Sequence, residues 1–68
     1  MTKLTNKEWI SLTEKTIENR NDGQRLGQAY MNALFIVNPI IYNDMKQSES
    51  DCFYDDNKLI NFINYLNK

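Results

Sequence analysis

Apolar side chains recur at intervals of three and four residues along most of this chain, which is the spacing of one face of an α-helix. The predicted helices lie near residues 6–20, 24–37, 39–46 and 56–67. They follow an N-terminal tail at residues 1–4, and no segment alternates apolar and polar residues for long enough to indicate a strand. We therefore expect an all-α fold, a compact single-domain bundle of about four short helices over residues 1–68.

The first helix has a recognisable start. Thr5 and Glu8 have the spacing of a capping box, in which the Thr5 hydroxyl accepts from the third helical amide and Glu8 reaches back to the amide of Thr5. Glu8 then begins a solvated face, and the opposite, apolar stripe is predicted to contain Trp9, Leu12, Thr13, Thr16 and Ile17. Residues 21–23 are expected to end this helix, with Asp22 as the cap of the next one.

The second helix has the widest apolar arc and should be the central, most buried element. Its apolar members are Leu26, Ala29, Tyr30, Met31, Ala33, Leu34, Phe35, Ile36 and Val37. Gly27 weakens such a helix by about 1 kcal/mol relative to Ala, so we interpret it as a point of close helix contact. Gln28 and Asn32 share one face, and buried amides need hydrogen-bond partners. We expect both to bind the backbone of residues 51–54, and a role in reading a ligand or partner stays open.

Proline and aspartate mark the starts of the last two helices. Pro39 cannot continue the second helix, but Asn38 as N-cap with Pro39 at the first helical position opens a third one. Asp55 or Asp56 is expected to cap the last helix. Between these helices, residues 52–54 form a short apolar segment, and Phe53 is expected to fix the connecting loop onto the core.

The composition argues against most kinds of catalysis and metal binding. The chain has no His, one Cys, and eight basic against nine acidic residues, for a net charge of -1. Without His, the thiol of Cys52 lacks its usual activating base, so we interpret Cys52 as a small buried hydrophobe. A group of acidic residues lacks the spacing of an EF-hand and is read as capping and solvating groups rather than a metal site. Its members are Asp44, Glu49, Asp51, Asp55 and Asp56. We expect no enzyme, no cofactor and no metal.

Composition also bears on location. A lone cysteine excludes an internal disulfide, and a small secreted domain without bridges would be unusual. No apolar run approaches the ~20 residues of a membrane span. We expect a cytoplasmic protein with no membrane partner.

Two stretches of the chain together resemble a known pattern. Arg25, Gly27, Gln28 and Asn32 have the spacing Arg-x-Gly-Gln-x-x-x-Asn, and residues 51–55 read Asp-x-Phe-Tyr-Asp. This combination resembles small uncharacterised proteins of bacteriophages and prophages. The resemblance implies no catalytic activity. It implies an accessory factor in the host cytoplasm that binds and disables a host protein, as anti-CRISPR and other anti-defence proteins do. The first helix lies outside the resemblance and is a candidate for this protein's own partner contact.

These observations favour a non-enzymatic protein that binds a host protein and inhibits or modulates it. Trp, Tyr and Arg dominate binding hot spots, and the acidic loop from Glu49 to Asp56 is expected to face a basic partner surface. The predicted partner-binding residues are Trp9, Arg25, Gln28, Asn32, Tyr42, Glu49, Asp51, Tyr54, Asp55, Asp56 and Tyr65. A homodimer is also compatible with so short a chain.

Two other functions stay open. Arg20 and Arg25 flank the turn between the first two helices and could hold phosphates, so the alternative is a small nucleic-acid-binding transcriptional regulator. For Arg25 the competing interpretation is an ion pair with an acidic residue. A third hypothesis is a small-molecule sponge or enzyme whose pocket is shared across a dimer interface.

Overall fold

A computed structural model describes residues 4–67 of the chain as four α-helices and one short 3-10 helix. The α-helices are α1 (Asn6–Asn21), α2 (Leu26–Val37), α3 (Pro39–Met45) and α4 (Leu59–Leu66), and the 3-10 helix Asp56–Lys58 leads directly into α4. No strand occurs within residues 4–67, which confirms the predicted all-α fold. Leu4 was predicted to belong to the N-terminal tail, but it is buried in the core. The rest of that tail lies outside the described residues.

The capping residues predicted from the sequence are mostly confirmed. The amide of Thr5 donates to Oε1 of Glu8 at 2.9 Å, and the amide of Glu8 donates to Oγ1 of Thr5 at 3.1 Å, which completes the capping box. Oδ1 of Asn38 accepts from the amide of Ile41 at 3.1 Å and caps α3. Oδ1 of Asp55 accepts from the amide of Asn57 at 2.9 Å. Asp55 therefore caps the 3-10 helix rather than α4 itself.

The prediction for the start of α2 is wrong. Gln24 and Arg25 precede the helix, and Asp22 does not cap it, because Asp22 closes α1 by donating its own amide to the carbonyl oxygen of Glu18 at 3.1 Å. Arg25 occupies the N-cap position of α2 with extended backbone angles. An arginine side chain has no acceptor for the first amides of a helix, so the cap of α2 must come from elsewhere in the chain.

The core is centred on α2, as predicted. The buried apolar residues are Leu4, Leu12, Ala29, Met31, Ala33, Leu34, Ile41, Met45, Cys52, Phe62 and Leu66. Four of them belong to α2, and the ring of Tyr30 on the same helix contacts that of Phe62 on α4 at a centroid distance of 5.3 Å. Phe62 is fully buried, and its contact with Tyr30 packs the last helix against the central one.

The buried face of α1 differs from the predicted stripe. Leu12 and Thr16 are buried, but Thr13 is exposed and Ile17 keeps 55% of its surface accessible. The hydroxyl of Thr16 donates to the carbonyl oxygen of Leu12 at 2.7 Å, which satisfies this buried polar group within the helix. Ile10 is likewise 60% exposed. Ile10 and Ile17, which lie two turns apart on the same side of α1, therefore face outward.

Two polar contacts lie on the inward face of α1. Near its end, Nδ2 of Asn19 donates to the carbonyl oxygen of Ala29 on α2 at 3.0 Å. Near its start, Oε2 of Glu8 accepts from Nδ2 of Asn38 at 3.0 Å, so the prediction of a solvated Glu8 is wrong. Glu8 and Asn19 therefore lie on the same face of α1 as the buried Leu12.

The outer face of α2 is also more exposed than predicted. Phe35 and Ile36 were assigned to the apolar arc of α2, yet they are 56% and 60% exposed. They continue a helical stripe with the half-buried Gln28 and Asn32. The covered side of α2 is formed by Gly27, Ala29, Met31, Ala33 and Leu34, and the opposite side faces outward.

Candidate functional site

The missing cap of α2 is supplied by the loop that precedes α4. Oδ1 of Asp56 accepts from the amide of Gly27, the second residue of α2, at 2.9 Å. A carboxylate at a helix N-terminus satisfies an unpaired amide and interacts favourably with the helix dipole. The loop is thereby attached to the helix across 29 positions of sequence.

Gly27 is required for this approach. A Cβ atom on Gly27 would overlap the carbonyl oxygen of Cys52 and lie 2.7 Å from Oδ1 of Asp56. The thiol of Cys52 donates in return to the carbonyl oxygen of Gly27 at 3.4 Å. The prediction of a close contact at Gly27 is confirmed, but the partner is this loop and not another helix.

Arg25 completes the attachment. Its guanidinium donates from Nη1 to Oδ1 of Asp56 at 3.2 Å and from Nη2 to the carbonyl oxygen of Phe53 at 2.6 Å. The interpretation of Arg25 as an ion-pair partner is confirmed. We call the contacts of Arg25 and Gly27 with residues 52–56 the 25–56 junction. Arg25 and Asp56, both predicted to bind a partner, contact each other at this junction.

Gln28 and Asn32 do not bind the backbone of residues 51–54, so that prediction is wrong. Oε1 of Gln28 accepts from the amide of Arg25 at 3.3 Å, and Nδ2 of Asn32 donates to Oε1 of Gln24 at 2.9 Å. Gln28 therefore bonds the backbone of the residue just before its own helix, and Asn32 bonds a side chain eight residues earlier in the chain. Their role in reading a partner stays a prediction.

The acidic residues of the loop are engaged in forming it. Asp51 accepts from the amide of Gln47 at Oδ2 (2.8 Å) and from the amide of Phe53 at Oδ1 (2.9 Å). Gln47 has a φ of 63°, a left-handed conformation that is uncommon for a residue with a side chain. The carbonyl oxygen of Glu49 accepts from Nδ2 of Asn61 on α4 at 3.3 Å. The loop therefore has a defined shape, with the side chain of Glu49 exposed.

An aromatic surface lies next to this loop, and it is the candidate functional site. It consists of Phe35, Tyr42, Phe53 and Tyr54. The rings of Phe35 and Tyr42 meet edge to face with centroids 5.1 Å apart, and those of Phe53 and Tyr54 do so at 4.7 Å. Tyr54 is 85% exposed, more than any other large hydrophobic residue within residues 4–67.

Two neighbouring pockets open on this surface. The first has a volume of about 170 Å³ and is lined by Tyr42, Lys46, Gln47, Asp51, Phe53 and Tyr54. The second has a volume of about 190 Å³ and is lined by Gln47, Ser48, Asp51, Tyr54, Asp55 and Lys58. They share Gln47, Asp51 and Tyr54, so the exposed ring of Tyr54 borders both.

The structure brings together only part of the predicted set. Tyr42, Asp51, Tyr54 and Asp55 line the two pockets. Trp9 lines a separate groove of about 270 Å³ on α1, and the half-buried Tyr65 packs against the core. Neither residue lines the pockets beside Tyr54.

Sequence reasoning missed Phe35, Lys46 and Lys58 as members of this region. A usable signal existed for Lys46, because it follows Tyr42 by four residues and so shares its helical face. Nothing local in the sequence indicates that Phe35 of α2 meets Tyr42 of α3, because the turn at Asn38 decides which faces converge.

The remaining chemistry in the described part of the chain is limited. Burial raises the pKa of the Cys52 thiol from 9.0 to about 11, and the charges of Asp51 and Asp56 add to this effect. Within residues 4–67 no three His, Cys, Asp or Glu side chains come together as a metal site. No helix in the same range combines the length and apolarity that crossing a bilayer requires.

No protein-family model, curated protein or solved structure matches this chain.

Proposed function

We propose that this protein works without catalysis, by binding another protein through the aromatic surface. The observation that carries this proposal is the 85% exposure of Tyr54. Tyrosine is enriched in binding hot spots, because its large ring gains much on leaving water and loses few side-chain rotations. The neighbouring ring of Phe53 supports it in an edge-to-face contact.

The 25–56 junction supports the same proposal. Arg25 donates to the carbonyl oxygen of Phe53, the residue just before Tyr54. Asp56, two residues after Tyr54, accepts from the amide of Gly27. These bonds hold the backbone on both sides of Tyr54. A preformed contact surface loses less conformational entropy on binding than a mobile one, so more of its contact energy remains as affinity.

The resemblance to small phage proteins adds a finer proposal. In this proposal the partner is a host protein in the cytoplasm, and occupation of its surface inhibits or modulates it, as an anti-defence factor of the anti-CRISPR kind would. Binding by surface complementarity suffices for such inhibition, because blocking a partner's site requires no reaction.

The alternative, nucleic-acid binding, has weaker support. The guanidinium of Arg25 donates to Asp56 and Phe53, and that of Arg20 donates to the carbonyl oxygen of Gln24 at 3.1 Å. The pockets beside Tyr54 contain Asp51 and Asp55, whose charges repel phosphates. Exposed aromatic rings can stack on bases, but single-stranded binding also needs a cationic groove.

The test is site-specific crosslinking in a bacterial lysate. Tyr54→p-benzoylphenylalanine places a photo-crosslinker in the aromatic surface, and Ile60→p-benzoylphenylalanine places it on α4, where the native residue is 68% exposed. We expect a defined protein adduct from position 54 that is absent from position 60. Unlabelled wild-type protein should compete the adduct away, whereas Tyr54→Ala should compete at least about tenfold less well.

An equal pattern of adducts from both positions, or none from position 54, would refute the proposal. A gel-shift assay with mixed DNA and RNA at low salt covers the alternative, because counterion release favours binding most under those conditions.

A further inference from the structure

An exposed apolar patch lies at the corner where α2 ends and α3 begins. Phe35, Ile36 and Ile40 are 56%, 60% and 70% exposed, which leaves roughly 350–400 Å² of accessible surface on these three residues. Pro39 and Asn43 are also exposed and extend the patch along α3. We call these five residues the corner patch. It holds three of the seven exposed large apolar residues within residues 4–67, and patches of this size mark interaction sites.

The corner patch carries no charge of its own. The chain has no charged residue between Arg25 and Asp44. Glu8 reaches the corner from α1, but its two carboxylate oxygens accept from the amide of Thr5 and from the side chain of Asn38. A strongly acidic or basic partner would therefore gain no ion pair from the patch. The chemistry of the patch fits an occupant that is itself apolar and uncharged.

Each type of side chain in the corner patch is also compatible with a second copy of itself. In a twofold-symmetric contact the same surface meets itself, so a charged residue near the axis would face its own like charge. Aliphatic and aromatic side chains instead leave water together. The amide of Asn43 can both donate and accept, so it can pair with an identical amide. The patch is therefore self-complementary.

The other exposed apolar residues do not meet this condition. Ile10 and Ile17 lie on the same edge of α1 as the exposed Glu14. Two copies that met along this edge would bring their Glu14 carboxylates together. Ile60 on α4 has no second exposed large apolar residue within one turn, and single exposed apolar residues are normal on protein surfaces.

The accessible area of the corner patch is also sufficient. A specific interface covers about 500 Å² or more on each partner. The three large side chains of the patch supply most of this area, and Pro39 and Asn43 add to it.

We propose that two copies of this chain associate through the corner patch as a twofold-symmetric dimer, with Ile36 and Ile40 of each copy at its centre. This inference names a surface for the homodimer that the chain length left open, and it does not rest on the proposed binding at Tyr54. Each dimer would carry two aromatic surfaces, so a partner with two binding sites would be held with higher avidity.

The test is sedimentation velocity from about 1 μM to about 1 mM protein, compared with the chain mass of 8.1 kDa. The wild-type protein should reach twice this mass within that range. Ile36→Glu/Ile40→Glu and Ile36→Lys/Ile40→Lys should each raise the dimer dissociation constant at least about a hundredfold, because like charges meet at the axis. An equimolar mixture of the two variants should associate more tightly than either alone, since the charges across the axis are then opposite.

The matched control is Ile10→Glu/Ile17→Glu, which places the same two charges on isoleucines of similar exposure on α1. Its dimer dissociation constant should stay within about twofold of wild type, because the substitutions lie outside the corner patch. Far-UV circular dichroism of all three double variants confirms that each keeps its helices.

Three results would overturn the inference: a wild-type protein that stays a monomer at about 1 mM, an α1 variant that weakens association as much as the corner variants do, and a mixture that associates no better than its components. None of these results affects the proposed function, because crosslinking from position 54 to another protein is measured separately.

Discussion

Two sets of polar contacts connect distant parts of this small fold, and they differ in whether a local sequence motif supports them. At the start of α1, Glu8 belongs to a local capping box and also accepts from Asn38 at the α2–α3 corner. At the 25–56 junction, Asp56 caps α2 from the far end of the chain, and the backbones of Gly27 and Cys52 pack so closely that no Cβ fits between them. The contact of Glu8 with Asn38, which we call the α1 junction, adds one bond to a capping box that forms without it. The 25–56 junction, in contrast, exists only through tertiary contact.

This difference has a consequence for function. The α1 junction positions a helix whose outer edge carries Ile10 and Ile17, but the groove beside Trp9 lies within a single helix. The 25–56 junction positions Phe53 and Tyr54, and the first pocket there combines Tyr42 of α3 with residues of the loop that follows it. Breaking each junction separately tests which surface depends on it.

Gly27→Ala should have the largest effect. Alanine gains about 1 kcal/mol in helix propensity, but overlap with the Cys52 carbonyl forces the loop away from α2 and removes its cap. We expect a net loss of about 2 kcal/mol in the free energy of unfolding, measured with urea. Gly23→Ala is the control: it meets no atom within 4 Å and should cost about 1 kcal/mol, through its φ of 94° alone. A Gly27→Ala protein as stable as wild type would contradict the described contact.

Asp56→Ala should come next. It removes the cap of Gly27 and the ion-pair partner of Arg25, and loss of an N-cap side chain costs about 1 kcal/mol. Hydrogen exchange of the Gly27 amide should become faster in the variant. Asp44→Ala removes an exposed carboxylate without a hydrogen bond or ion pair inside residues 4–67, so its stability should stay near that of wild type. Equal losses from both variants would mean that charge, not capping, is responsible.

Glu8→Ala should cost slightly less than Asp56→Ala. It breaks one half of the capping box and the bond from Asn38, but the hydroxyl of Thr5 still accepts from the amide at position 8. We expect about 0.5–1 kcal/mol in urea unfolding, with unchanged crosslinking from position 54. Glu14→Ala, an exposed change on the same helix, is the comparison and should have no measurable effect. Lost crosslinking in Glu8→Ala would show that the two junctions are coupled.

A separate prediction concerns pH. The pKa of Cys52 is raised from 9.0 to about 11 by burial, so the fold favours the neutral thiol. The resulting stability is fully present below pH 9 and is lost as the pH rises through about 11. Urea midpoints should therefore fall more between pH 8.5 and about 10.5 in wild type than in Cys52→Ala, which lacks the thiol. Parallel curves for the two proteins would place the thiol in a less buried position than described.

The helices of this protein were predictable because their signals are local. The Thr5 capping box, the Asn38 and Pro39 start of α3, and the Asp55 cap each depend on groups no more than three residues apart. Periodic apolar residues then predicted α2 as the central helix. The candidate site was predictable only in part: Tyr42 and Tyr54 followed from residue type, whereas Lys46 and Lys58 did not.

Tertiary structure alone decided the rest. Capping of α2 by Asp56 joins residues 29 positions apart, and no local pattern distinguishes this aspartate from its neighbour Asp55. The outward turn of Ile17 depends on where α1 bonds to α2, not on its own periodicity. The caps formed by Thr5 and Asn38 depend on groups within one turn, but the cap of α2 and the pairing of faces and loops depend on which surfaces fit together once the helices have formed.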